Sequence, residues 1–250
     1  MHTGFWRKWF FRLKLTVLML TPPPYSFQRL EEFLKKEIRR HPTAYLPRMS
    51  LANLYKDYSK NQEAKREFLE LERLGCMTDR DRLDFGQVLY RLEDFTGVVQ
   101  VVAPIIDRFP RLKNSNWYLG ASYEKEGQFE KAVEYILKAI HGGLDAYETY
   151  WHLGYCYHRL GRFELAMEAY ERAYRVRSDS VELRKAIALA CVEMGRSLLG
   201  KDTKQAIHQF KKALLFNPAD QEARRALTGL GSLPQEPGCM GATGQDGDEE

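Results

Sequence analysis

The chain matches itself when shifted by 34 residues, and that period restricts the fold more than any other feature. Leu119-Gly120-Ala121-Ser122-Tyr123 is followed by Ala132, and Leu153-Gly154-Tyr155-Cys156-Tyr157 by Ala166, with the two leucines 34 positions apart. The same step back from Leu119 reaches Phe85, with Gly86, Leu89 and Val98 in the matching slots. A further step reaches Leu51, Ala52, Tyr55 and Ala64. Four units keep one register and begin near Tyr45, Asp79, Lys113 and Tyr147. One such unit cannot cover its own apolar face, so neighbours must stack to bury it.

Each unit reads as two short amphipathic helices. In the third, Trp117 to Tyr123 is apolar at helical spacing, Gly127-Gln128-Phe129 breaks the period, and Ala132, Ile136 and Ala139 restart it at i, i+4 and i+7. Helix axes approach to about 8–10 Å only where side chains are small, which places Gly120 and Ala132 at a crossing. Tyr123 and Ile136 fill the space beside it.

These residues resemble the tetratricopeptide repeat, whose pattern is tryptophan, leucine-glycine, tyrosine, alanine, phenylalanine, alanine and proline. The later slots hold Phe68 and Leu71, Val102 and Ile105, Ile136 and Ala139, and Tyr170 and Ala173. The closing proline is Pro110 in the second unit; Leu144 and Ser178 replace it in the third and fourth. The resemblance implies an all-α, right-handed superhelical solenoid of stacked antiparallel helix pairs, about five units with capping helices. The expected units are 45–78, 79–112, 113–146, 147–180 and 181–218, within an array spanning 45–229.

The fifth unit departs from the pattern. Ile187, Ala188 and Cys191 fit the first helix and Ala206, Phe210, Ala213 and Pro218 the second, but the halves stand six residues too far apart. The excess near Arg196 to Asp202 requires a longer first helix or a protruding loop. A lead-in helix is expected in 25–44 and a capping helix in 219–229, opened by Asp220 after Asn217-Pro218. Residues 230–250 are rich in glycine, proline and acid and read as a disordered acidic tail.

The N-terminal segment 1–24 is basic and aromatic. On a helix, Phe5, Trp6, Trp9, Phe10 and Leu13 share one face, and Arg7, Lys8 and Arg12 fall off it. The stretch is shorter than the about 20 apolar residues that span a bilayer, and it carries four charges. Such a face suits a membrane surface, where rings sit at headgroup depth and cations meet anionic lipid. It suits equally a cap on the first repeat.

No catalytic, cofactor or metal site is legible. The four cysteines form no C-x-x-C pair. Gly195-Arg196-Ser197-Leu198-Leu199-Gly200-Lys201 imitates a phosphate loop, yet Asp202 stands where a magnesium-binding hydroxyl belongs, and no strand precedes it. The net charge of +4, with acids interleaved among the bases, argues against a nucleic-acid partner.

What remains is protein binding. In proteins that resemble this one, positions 2, 5, 9, 12 and 13 of each first helix commonly face the partner in a concave groove. That carry-over selects Asn53, Lys56, Gln87, Tyr90, Arg91, Trp117, Glu124, Trp151, Tyr155, His158, Arg159 and Lys185. The family tryptophan lies three residues before the leucine; Trp117 and Trp151 lie two before it. One residue is about 100° of helix rotation, enough to turn a ring towards the groove. Asn53 also fits the asparagine of the lysine-asparagine carboxylate clamp of some family members, but Met49 fills the lysine slot, so that clamp is not expected. The expected protein is a cytoplasmic, non-enzymatic adaptor for a peptide or helix. The alternative is a membrane-peripheral recruitment factor localised by residues 1–24.

Overall fold

Glycine at the crossing of two helices decides how closely each repeat closes. In the computed structural model, which describes residues 25–109 and 111–232, a Cβ placed on Gly86 would run into Val102. One on Gly154 would lie 2.5 Å from the Tyr170 ring, and one on Gly120 would lie 3.0 Å from the backbone nitrogen of Ile136. Gly86, Gly120 and Gly154 are spaced by the period, so the same small residue seats the second helix on the first each time.

The described residues form twelve α-helices and no strand. They run α1 (Tyr25–Arg40), α2 (Tyr45–Asp57), α3 (Asn61–Arg73), α4 (Asp79–Arg91), α5 (Phe95–Val102), α6 (Lys113–Lys125) and α7 (Phe129–His141). There follow α8 (Tyr147–Arg159), α9 (Phe163–Val176), α10 (Val181–Leu198), α11 (Thr203–Phe216) and α12 (Gln221–Gly229). The chain divides into two compact units, Met1–Leu144 and Asp145–Glu250. Within each, consecutive helices pack as antiparallel pairs, as an all-α helical repeat requires.

Pattern residues and their neighbours build each core. Phe68, Leu71, Phe85, Ile106, Leu119 and Ile136 are buried in the first unit, and Tyr170, Leu183, Ile187 and Phe210 in the second. The tight turns inside repeats recur with the period at Ser59, Glu93, Gly127 and Gly161, all with φ between 56° and 75°. Two of the four thus hold a left-handed backbone without being glycine.

Two local expectations are corrected. The second helix of the second repeat does not reach Ile105. It ends at Val102, because Pro104 has no N–H to continue the ladder and its ring excludes the carbonyl one turn back. Ile105 is nevertheless buried, outside the helix. In the fifth repeat the close crossing is not at Ala188 but at Gly195, whose Cβ would meet the Phe210 ring at 2.8 Å. The extra residues lengthen the first helix: α10 has 18 residues where α2, α4, α6 and α8 have 13. The crossing has followed α11, and Asp202 caps α11 by accepting from the Gln205 amide at 3.0 Å.

Candidate partner-binding surface

In the unit Met1–Leu144 the expected surface residues lie on α2, α4 and α6, and much of their polarity is satisfied inside the chain. The Lys56 ammonium donates to Asp84 of α4 at 2.5 Å. Arg91 donates to the Lys56 carbonyl at 2.9 Å. The Tyr90 ring packs against Tyr118 and Phe95, with centroids 4.9 and 5.9 Å away. Burial pushes its hydroxyl pKa up, and the negative charge of Glu124 adds to the effect. Trp117, Gln87 and Asn53 are half-buried, and Arg91 is exposed. Among the described residues the buried Asn53 Oδ1 has no hydrogen-bond partner.

In the unit Asp145–Glu250, Trp151 and Tyr155 lie one turn apart on α8. Their rings are within 2° of parallel, with centroids 5.8 Å apart. His152 meets Trp151 edge-on at 4.7 Å. The Arg159 guanidinium sits 5.7 Å from the centre of the Tyr155 ring and donates to its hydroxyl at 2.8 Å. A planar cation over a ring face is attracted by the ring quadrupole, which fixes the side chain that the rim of the surface presents. Arg159 and Lys185 are exposed, and Trp151 and Tyr155 half-buried.

Two members of the expected set are corrected. Glu124 is only 6% exposed and lies beside its neighbour Lys125 at 3.5 Å. His158 is 9% exposed, and its Nε2 lies 3.1 Å from Glu193 of α10. Both are buried and offer little to a partner, and His158 links α8 to α10. One residue was missed. Leu189 on α10 is 48% exposed, 34 positions after Tyr155. The step that located every other position also reaches it, but a leucine on an amphipathic helix reads as core.

The remaining candidates separate readily. Gly195 to Leu198 is helix and Gly200 is the turn after it, so the phosphate-loop imitation is a helix end followed by a cap. Among the described residues no group of three or more His, Cys, Asp or Glu side chains could hold a metal ion. No described helix is long and apolar enough to cross a membrane. Phe5, Trp6, Arg7, Lys8, Trp9, Phe10, Arg12 and Leu13, Pro110, and the tail beyond Ser232 lie outside the described residues. In the first unit, a cleft of 490 Å³ opens where α5 stops short. Leu69, Phe85, Leu89 and Ile105 line it, with the Lys65–Asp94 ion pair at its rim.

Comparison with known proteins bears on the repeat itself. The family model described as "Tetratricopeptide repeat" matches residues 119–181, which include both leucine-glycine signatures. Residues 119–181 are thus tetratricopeptide repeat. Tetratricopeptide-repeat structures also share its fold. The structure described as YrrB, "a TPR protein with an unusual peptide-binding site", aligns with a TM-score of 0.59 at 15% identity, covering 78% of this chain and 97% of its own. MamA of strain AMB-1 aligns with a TM-score of 0.56 at 17% identity, over 75% and 96%. MamA from Desulfovibrio magneticus RS-1 gives 0.51 at 20%, over 68% and 97%. No curated protein matches the sequence. At these identities the likeness establishes the tetratricopeptide fold and leaves function to the surface residues.

Proposed function

We propose that this tetratricopeptide-repeat protein is a non-enzymatic adaptor that holds a peptide or helix of a partner protein against the first helices of its repeats. The observation that carries the reading is the parallel Trp151–Tyr155 pair on α8, flanked by Arg159. Rigid aromatic anchors beside arginine are the composition of energetic hot spots at protein interfaces. Exposed Leu189 and Lys185 extend this surface along α10. Asn53, Gln87, Tyr90, Arg91 and Trp117 form the corresponding surface of the first unit, where Lys56 contributes mainly to cohesion. The peptide-binding site named for YrrB supports the class of ligand and nothing finer.

The test is capture from native lysate with wild type and with a Trp117→Ala, Trp151→Ala double variant of unchanged circular dichroism. A partner held by wild type should fall at least about tenfold in the variant, the loss expected from removing one hot spot of about 2 kcal/mol. A partner retained at full strength would move the site elsewhere. The second reading, cytoplasmic but membrane-peripheral through residues 1–24, rests on the aromatic and basic faces of that segment. Deleting 1–24 should abolish sedimentation with anionic vesicles and leave the melting temperature unchanged; early melting would make the segment a cap.

A further inference from the structure

Helix α11 is acid-free: TKQAIHQFKKALLF carries three lysines and a histidine. Lys204, His208, Lys211 and Leu215 follow one another at i, i+4, i+7 and i+11, so they form one stripe along the helix. All four are exposed, Leu215 to 81%. Leu215 is thus an apolar side chain almost wholly in water at the end of a basic row. Two acids beside the helix are already engaged. Asp202 caps the helix, and Glu171 of α9 accepts from Lys212 at 3.4 Å, off the stripe.

The charge complementary to this row is in the same chain. Residues 233–250 contain Glu236, Asp246, Asp248, Glu249 and Glu250 and no lysine, arginine or histidine. Their starting point is fixed close by. The Ser232 amide donates to the Leu227 carbonyl at 2.8 Å, and α12, which carries Leu227, packs on α11. Asp246 lies 14 residues beyond Ser232, and a chain can span at most about 3.3–3.6 Å per residue. Helix α11 is about 21 Å long at 1.5 Å per residue. The acidic end can therefore reach the stripe without strain.

We propose that the basic stripe of α11 is an interaction surface whose occupant is the chain's own acidic segment 246–250. The inference is independent of the Trp151 surface, so either can fail alone. Carbodiimide, which joins a carboxylate to a contacting lysine amine as an amide, tests it on the full-length chain. The Lys65–Asp94 pair, 2.6 Å apart, is the internal control. Amides from Asp246, Asp248, Glu249 and Glu250 should concentrate on Lys204 and Lys211. Their yield should fall about tenfold as the screening length shrinks from about 30 Å at 0.01 M salt to about 3 Å at 1 M. In NMR spectra, the variant D246N/D248N/E249Q/E250Q should shift backbone amides of 203–216 and few others. The inference is overturned if the control pair links but tail linkages scatter over exposed lysines. Linkage between isotopically distinct copies, or coincident spectra for wild type and variant, would overturn it as well.

Discussion

The first helices of the two units present different surfaces. In Met1–Leu144 the polar and aromatic groups on these helices are largely turned to cohesion: Lys56 holds Asp84, Arg91 holds the Lys56 carbonyl, and Tyr90 packs between Tyr118 and Phe95. In Asp145–Glu250 the equivalent helices carry a stacked ring pair, an arginine poised over it, an exposed lysine and an exposed leucine. At one shared repeat position, Arg91 reaches back to the preceding first helix, whereas Arg159 bonds Tyr155 of its own helix. A position rule inherited from the repeat pattern says which residues point outward. Whether the neighbouring first helix has already claimed them depends on its own sequence.

The largest expected effect tests the rings. Tyr90→Ala should lower the stability of the first unit by about 2–3 kcal/mol, below the about 3–5 kcal/mol for a fully buried aromatic because Tyr90 is half-buried. Trp151→Ala should cost the second unit about half as much and act mainly on partner affinity. Denaturant titrations of both variants measure this, and equal losses would erase the contrast between the units. The next effect lies in alkali. Burial, then hydrogen bonds to Asp81 and Glu31, push the Tyr45 and Tyr55 hydroxyls up to about 12. Their stabilisation is fully present below the unfolded value near 10 and is lost as pH rises towards 12. A melting series from pH 8 to 12 should therefore show Met1–Leu144 losing stability as the pH passes about 10, and Tyr45→Phe with Tyr55→Phe should flatten the fall.

Smaller effects separate the lysines. Lys56→Met strands the half-buried Asp84 carboxylate and should cost about 1–2 kcal/mol. Lys185→Met touches nothing buried and should remain within about 0.5 kcal/mol of wild type. Thermal melts of the two variants measure the difference.

The repeat, its register and the helix pairing were legible because small residues at crossings and large ones beside them recur every 34 positions. The lengthened α10 was legible only as an excess of residues. What decided its form was Gly195, which re-creates the crossing against Phe210 two turns later than the pattern places it. The surface was less legible, for a physical reason. Glu124 and His158 occupy outward positions by rotation, yet their burial comes from neighbouring structure that no count along one helix registers. Leu189 failed in the opposite sense: an apolar residue implies burial, and here it is left in water.

The smallest effect concerns the turns, and it turns the contrast from surface to backbone. At the four positions related by the period, the first unit uses Ser59, Glu93 and Gly127 with φ of 56°, 58° and 75°, and the second uses Gly161 with φ of 70°. A side chain in the left-handed region brings Cβ against the following carbonyl, at about 1–2 kcal/mol per residue. Glycine removes that contact but loses more backbone freedom on folding, about 0.5–1 kcal/mol. The two terms oppose, so Glu93→Gly should stabilise the first unit by no more than about 0.5–1 kcal/mol. Gly161→Ala should destabilise the second by a similar amount. Urea titrations of both variants measure the signs. A loss on Glu93→Gly would mean that the Glu93 side chain itself stabilises the turn, and that the first unit keeps a charged residue there for a local contact that offsets the strain.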